Sequence, residues 1–392
     1  MEHTVCLKIT NEIQSNLSAA KCRRMLVGPG VNQPDPFPGY NGFVGWEAVI
    51  RLKNGTWLVT FNAGYWHASP RVQPIYENAL PWVVEAPTGG RAMIIKSEDE
   101  GVTWSKPETL VDTPDDDRHP CIYEAADGTL ICTFFTYGED RDREGEVAKS
   151  SAMTYTMRSF DGGRTWTEPE RMDTGFTRDA TDGPIIALND GSLLLAIYGK
   201  DEGKDEHYKL AIMRSTDVGL TWKRIAVVEA DHTLEEPGIA QLPDGHLVMI
   251  ARPYADVCFS DDGGYTWTKP APLCMGKLGI FACNLLCLDN GVLICTHGNY
   301  ATHGGVYAIL SADGGHTWLS PSKKYGFSVD PDVYGYTQPM LLPDGSIFAV
   351  YLDNQGIRMD QIRREAVWGV RMRVREDLSG IEMLPAPGVD IA

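Results

Sequence analysis

The sequence predicts an all-β chain closed as a six-bladed β-propeller, and three observations carry that prediction. An eight-residue motif, Ser-x-Asp-x-Gly-x-Thr-Trp, occurs five times at fixed internal spacing, ending at Trp104, Trp166, Trp222, Trp267 and Trp318. Ahead of each motif an apolar, strand-like run breaks at an Asp-Gly or Asn-Gly turn and resumes, with turn glycines at Gly55, Gly128, Gly191, Gly245, Gly291 and Gly345. Each unit, about 45 to 75 residues long, reads strand, tight turn, strand, loop, strand, motif, strand. Such four-stranded units protect their sheet edges by closing radially, so residues 1–392 form one domain.

Taken in order, residues 1–40 are irregular. Within them Thr4 to Thr10 alternates like a strand and is expected to help close the last blade, and Gly28 to Gly39 is loop. The first blade carries a long loop, Asn62 to Gly90, with Trp66, His67, Pro70, Pro74, Trp82 and Glu85. Loops of that length inside a compact repeat are usually functional. Gly138 to Val147 is a charge-rich run that reads as a solvated loop. In the motif itself Asp and Gly supply the turn, the Thr hydroxyl is expected to bond local backbone, and the Trp packs beneath. This is structural and carries no chemistry. The last unit has no motif after Gly345, so Val367 to Val374 is read as its outer strand and the tail from Leu384 as peripheral.

The composition, 43% apolar and 22% charged, is that of a globular protein with ample core. A net charge of −18 opposes binding to a nucleic acid duplex or an anionic bilayer, and an anionic ligand would need a local basic pocket. No run approaches the roughly 18 apolar residues of a membrane span. Met1-Glu2-His3-Thr4 lacks the basic and apolar parts of a signal peptide, which predicts a cytoplasmic protein, or a secreted one whose leader is not in this sequence. Nine cysteines without Cys-x-x-Cys spacing read as buried thiols. The acidic residues are spread rather than caged, and the glycine-rich spots are hairpin turns, so the sequence calls for no metal and no cofactor.

The repeat also locates a site. Nine residues before each turn glycine lies one equivalent inner-strand position per blade: Trp46, His119, Asp182, Glu236, Ala282 and Tyr336. Four polar residues at positions that should be apolar point to a polar ring at one mouth of the channel. Seven residues after the glycine the second strand returns to that mouth, bringing Asn62 and Arg252, with His297 and Asn299 nearby. Arg118 and Arg178 are placed just ahead of the inner strands of blades two and three.

The motif resembles the Asp-box of sialidases, whose fold is a six-bladed propeller. Glu236-Pro237-Gly238 through Gly245 to Arg252 is similar to the sialidase segment that joins a pocket glutamate to a carboxylate-binding arginine. Tyr336-Thr337-Gln338-Pro339 through Gly345 is similar to the segment bearing the nucleophilic tyrosine. The resemblance implies that Tyr336 is the nucleophile, Glu236 its activating base and Arg252 a substrate contact. The pattern departs from the family in three places. Trp46-Glu47-Ala48 replaces an Arg-Ile-Pro, His303-Gly304-Gly305 stands where a clamp arginine is expected, and Glu85 stands close to the register of the acid/base aspartate.

These residues predict a glycoside hydrolase acting on a glycan, an acidic sugar other than ordinary sialic acid. Tyr336 and Glu236 form the nucleophilic pair, and Asp182, His119 or Glu85 serves as proton donor. Arg252, Arg118, Arg178, Trp46, Glu47, His67 and Glu85 contact substrate. Two alternatives stay open. One is a uronate polysaccharide lyase using Tyr336 and His119 with an arginine. The other is a non-catalytic propeller that binds glycan or protein.

Overall fold

A computed structural model describes residues 4–34, 43–64, 68–71, 89–141, 146–273, 281–299, 304–333, 335–353 and 365–391. The described strands fall into six separate sheets, one per predicted unit. Blade one runs Phe43–Arg51, Trp57–Gly64, Arg91–Ser97 and Glu108–Val111 from the axis outward, and the other blades repeat the order. All six turn glycines have positive φ, from 75° at Gly345 to 95° at Gly245, which is why the hairpins use glycine there.

The Asp-box hydrogen bonds explain the repeat. In the first box the Ser97 hydroxyl accepts the Gly101 N–H at 2.9 Å and donates to Asp99 at 2.8 Å. Asp99 in turn accepts the Thr103 N–H at 2.7 Å and the Thr103 hydroxyl at 2.6 Å. The threonine hydroxyl therefore donates to the Asp carboxylate and not to backbone, as the sequence had suggested. The Trp104 indole N–H closes the loop on the Gly101 carbonyl at 3.1 Å. Most of the loop's polar groups are satisfied within eight residues, so the motif is transferable from blade to blade.

The apolar core lies between blades. Trp57, Val59 and Phe61 of blade one pack with Phe348 and Val350 of blade six, and Ile250 and Val257 of blade four with Leu293 and Ile309 of blade five. Where inner strands approach most closely, glycine is required. A Cβ on Gly238 would stand 2.0 Å from the Cys283 carbonyl oxygen, so only glycine lets blades four and five meet beside Glu236.

The chain termini differ from expectation. Cys6–Ile9, within the predicted Thr4 to Thr10 strand, pairs in parallel with Thr317–Ser320 on blade five, not on the last blade. Blade six is closed instead by Arg24–Val27 and by Ile381–Leu384, both paired with Ala366–Val374. That strand is third in its sheet rather than outermost, because both ends of the chain add to its free edge. The tail beyond Leu384 is also anchored: Ala386 is buried and its N–H donates to the Cys22 carbonyl at 2.8 Å. Gly138 to Arg141 continues a strand, pairing with Ser151 to Val147, so the charged run begins as a hairpin extension rather than a loop.

Candidate active site

The inner strands share one device. In blades one, two, four and five the register slips between Gly45 and Ala48, Arg118 and Cys121, Glu235 and Gly238, and Phe281 and Asn284. Each slip is a β-bulge, and at each the ring residue has left-handed backbone: Trp46 φ 49°, His119 φ 49°, Glu236 φ 47° and Ala282 φ 51°. Non-glycine residues in that region cost on the order of 1–3 kcal/mol each. Four such positions at one level of the channel, held by the surrounding sheets, re-aim side chains toward the axis.

Three of the predicted residues form one hydrogen-bonded cluster. The Tyr336 hydroxyl donates to Glu236 Oε1 at 2.6 Å, and Arg252 Nη1 donates to the same oxygen at 2.7 Å. The bulged Ala282 presents its N–H to Glu236 Oε2 at 2.9 Å. Burial pushes the Glu236 carboxyl up, but the Arg252 guanidinium, the Tyr336 hydroxyl and the Ala282 amide together hold it below the ordinary range. The carboxylate is thus charged and faces the phenol as an acceptor.

His119 and Asp182 form the second pair, with His119 Nδ1 2.5 Å from Asp182 Oδ1. Asp182 fixes the imidazole tautomer, and burial raises its own carboxyl pKa, partly offset by His119. The His119 ring meets Tyr336 edge-on at 5.3 Å and lies 5.5 Å from Trp46, so both pairs share one wall.

The arginines are distributed differently from the prediction. Arg118 lies within the inner strand Asp116–Glu124 and Arg178 begins Arg178–Thr181, so neither precedes its strand. Arg118 stacks 4.5 Å from both the Trp46 and Tyr137 rings and donates through Nε to Asp116 at 2.7 Å. Arg178 is bound to Tyr208 at 2.8 Å and to the Ser150 hydroxyl at 2.8 Å, and it lies 5.9 Å from the Tyr137 ring that Arg118 also faces. Arg252 keeps a quarter of its side chain exposed and is the guanidinium of the cluster that reaches solvent. Glu47 is buried beside Trp46. His67, Glu85, Trp66, Pro74, Trp82 and His303 lie outside the described residues. His297 is buried, and burial pushes its imidazole down to about 4.

Sequence reasoning missed Phe135, Tyr198, Tyr137 and Asp116. The register that found Asn62 and Arg252 also gives Phe135 and Tyr198, seven residues after Gly128 and Gly191. Phe135 stacks on His119 at 5.6 Å, and Tyr198 feels the charges of Glu236 and Asp182. Asp116, which also accepts Asn62 Nδ2 at 3.0 Å and the Ser69 N–H at 2.8 Å, gave no signal because acidic residues crowd that segment. Among the described residues no group of three or more His, Cys, Asp or Glu is placed to hold a metal.

Beside this cluster, Asp117 provides a test of the electrostatics. It is fully buried, and burial followed by the neighbouring Asp116 and Asp112 pushes it from 3.8 up to about 7, against two hydrogen bonds from Thr113. Below about pH 4 both folded and unfolded chains hold this proton, and between about 4 and 7 only the folded chain does. Stability therefore falls as pH rises through that window, by at most about 4 kcal/mol, and flattens above it. Asp117→Asn is expected to remove this slope in urea unfolding measured across pH.

Residues 92–278 match the family described as a BNR repeat-like domain. No curated protein matches the sequence. In three dimensions the chain is similar to a protein of unknown function from Dyadobacter fermentans, with 19% identity, TM-score 0.66 and coverage of 90% of this chain and 99% of that one. It is similar to the Hadza microbial sialidase Hz136, with 18% identity, TM-score 0.59 and coverage of 88% and 66%. It is also similar to the leech intramolecular trans-sialidase, solved with 2,7-anhydro-Neu5Ac, at 15% identity, TM-score 0.60 and coverage of 88% and 71%. At these identities the likeness is one of fold.

Proposed function

We propose that this BNR-repeat propeller of the sialidase superfamily is a glycoside hydrolase whose nucleophile is Tyr336, activated by Glu236. The observation that carries the reading is the 2.6 Å hydrogen bond from the phenol to a carboxylate kept charged by Arg252. A phenol of ordinary pKa near 10 is a poor nucleophile at neutral pH and needs a base at hydrogen-bond distance. The bulges supply that base in a buried place where a charge-assisted bond is strong. As Tyr336 Oη attacks the anomeric carbon, its proton passes to Glu236, and Arg252 stabilises the charge before transfer. Asp182 holds His119 against the ring of the nucleophile and fixes its approach.

The substrate is an acidic sugar, its carboxylate met by Arg252 at the open side of the cluster. Among the described residues Arg252 is the guanidinium of the cluster that reaches solvent, and with Arg118 and Arg178 committed to other partners this favours a sugar other than ordinary sialic acid. Trp46 with Phe135 provides apolar surface beside the ring. A second reading, β-elimination on a uronate glycan, is favoured by one observation. His119 and Tyr336 stand 5.3 Å apart between ring centroids, as a base and an acid would.

A panel of aryl glycosides, sialosides and uronides included, run beside a uronate polysaccharide followed by ultraviolet absorbance, separates the readings. Release of the aglycone supports hydrolysis, and a rise in absorbance from an unsaturated product supports elimination. Glycan binding without turnover of any compound would support a non-catalytic propeller.

A further inference from the structure

The nucleophilic pair leaves one task of the reaction unassigned, delivery of a proton to the leaving oxygen, and the bulge of blade two presents a group for it. The strand slip there runs from the pair Arg118–Phe135 to the pair Cys121–Thr133, so His119 and Pro120 together oppose Phe134. His119 takes the left-handed conformation, with φ 49°. The Thr60 hydroxyl of blade one donates to the Pro120 carbonyl and pins the bulge from the neighbouring sheet. The imidazole is walled by rings. It stacks on Phe135 at 5.6 Å, lies 5.5 Å from Trp46 and meets Tyr336 edge-on at 5.3 Å. Its place beside the nucleophile is therefore fixed by backbone and by packing alike.

The two ring nitrogens have different surroundings. Nδ1 stands 2.5 Å from Asp182 Oδ1, and among the described residues Asp182 is the polar partner of the ring. Nε2 is not enclosed, unlike Nε2 of His297, which is buried without a partner. The His119 side chain keeps 9% of its surface exposed, beside a half-buried Tyr336. An imidazole anchored through Nδ1 to a buried carboxylate can give and take a proton at Nε2. The other acids near the ring are enclosed or engaged. Glu236 holds the phenol, Arg252 and the Ala282 amide. Asp182 exposes 4% of its side chain and spends Oδ1 on His119. Asp116 binds Arg118, Asn62 and the Ser69 amide, and both carboxyl oxygens of Glu47 are enclosed. Glu235, half-buried one residue before Glu236, has the charges of Arg252 and Lys200 beside it.

We propose that His119 is the acid/base catalyst of this channel, with Asp182 as the residue that positions it. The inference rests on the hydrolase reading given above. The acid form is an imidazolium whose Nδ1–H is held by the Asp182 carboxylate. In the first step the bond from Tyr336 Oη to the anomeric carbon forms while the glycosidic carbon–oxygen bond breaks. The electron pair of the broken bond goes to the leaving oxygen, which takes the Nε2 proton, and the phenol proton goes to Glu236. In the second step water attacks the same carbon and gives a proton to Nε2. The phenolate leaves and recovers its proton from Glu236. One imidazole thus serves both halves of the reaction, and its contact with the Tyr336 ring brings both groups to one centre.

The test is His119→Asn in the intact chain, on aryl glycosides of graded leaving-group acidity built on the sugar that the panel identifies. Asparagine suits a left-handed backbone and keeps a donor toward Asp182, but it has no Nε2. In kcat/KM the variant is expected to lose about 10²- to 10⁴-fold on poor leaving groups and less than about 10-fold on activated ones, where protonation matters little. On activated glycosides hydrolysis of the glycosyl-enzyme then limits kcat. Sodium azide, which attacks without needing a base, is expected to raise that kcat and to yield a glycosyl azide that the wild type does not form. Asp182→Asn should show the same dependence on leaving group with a smaller loss. If His119→Asn does not fold, His119→Gly, which also accepts positive φ, carries the same test. An equal loss on every leaving group, with no glycosyl azide, would overturn the proposal and leave the hydrolase reading standing. Wild-type protein that cleaves no glycoside would overturn the hydrolase reading, and the role of His119 with it.

Discussion

Tyr336→Phe is expected to lower kcat by at least about a thousandfold, a barrier increase of about 4 kcal/mol or more, without loss of the fold. The substitution removes the hydroxyl that donates to Glu236, and leaves the aromatic ring in contact with His119. Glu236 keeps Arg252 and the Ala282 amide as partners, so no buried charge is abandoned. The defect therefore belongs to the chemical step: KM moves little and kcat collapses. Glu236→Gln is the companion variant. It keeps the shape of the cluster but cannot accept the phenol proton, and it is expected to cost about 10²- to 10⁴-fold. A ligand-binding propeller would behave differently, because Tyr336→Phe would then change affinity modestly and there would be no turnover to lose.

Trp318→Ala is expected to destabilise the protein by about 3–5 kcal/mol, read from urea unfolding. Trp318 closes the Asp-box of blade five and is fully buried in the cluster shared by blades four and five. Its indole N–H donates to the Gly315 carbonyl at 2.8 Å, so the substitution removes apolar area and leaves an acceptor without its donor. Leu7 of the N-terminal strand pairs with Trp318 in the parallel register, so the loss also loosens the strand that covers blade five. Trp104→Ala is expected to cost less, since that ring is only partly buried.

Much of this molecule was legible in the sequence because the repeat is physical. A turn glycine needs positive φ, a box needs its Ser, Asp, Gly and Thr in fixed register, and counting from the glycine gives the same place in every blade. That arithmetic put Trp46, His119, Asp182, Glu236 and Tyr336 at one level, and the bulges show why the count works. The parts that were not legible lie where the repeat is broken. Cys6–Ile9 was assigned to the wrong blade because alternation marks a strand and not its partner. Arg118 and Arg178 were read as free for a ligand because no sequence pattern shows that Asp116 and Tyr208 claim them. Glu47 looked like a substrate contact in a degenerate clamp. Its burial between the blades is a property of packing, which no local pattern encodes.

Attack of Tyr336 on the anomeric carbon is tested most directly by covalent trapping. The protein would be incubated with a deactivated, fluorinated glycosyl fluoride of the sugar that the panel identifies, and then analysed by intact mass and peptide mapping. One adduct of the glycosyl mass is expected on the peptide containing Tyr336, absent from Tyr336→Phe and slow to form in Glu236→Gln. An enzyme that turns over the parent glycoside yet carries its adduct on Glu236, Asp182 or Glu47, or that is modified equally in Tyr336→Phe, would contradict it.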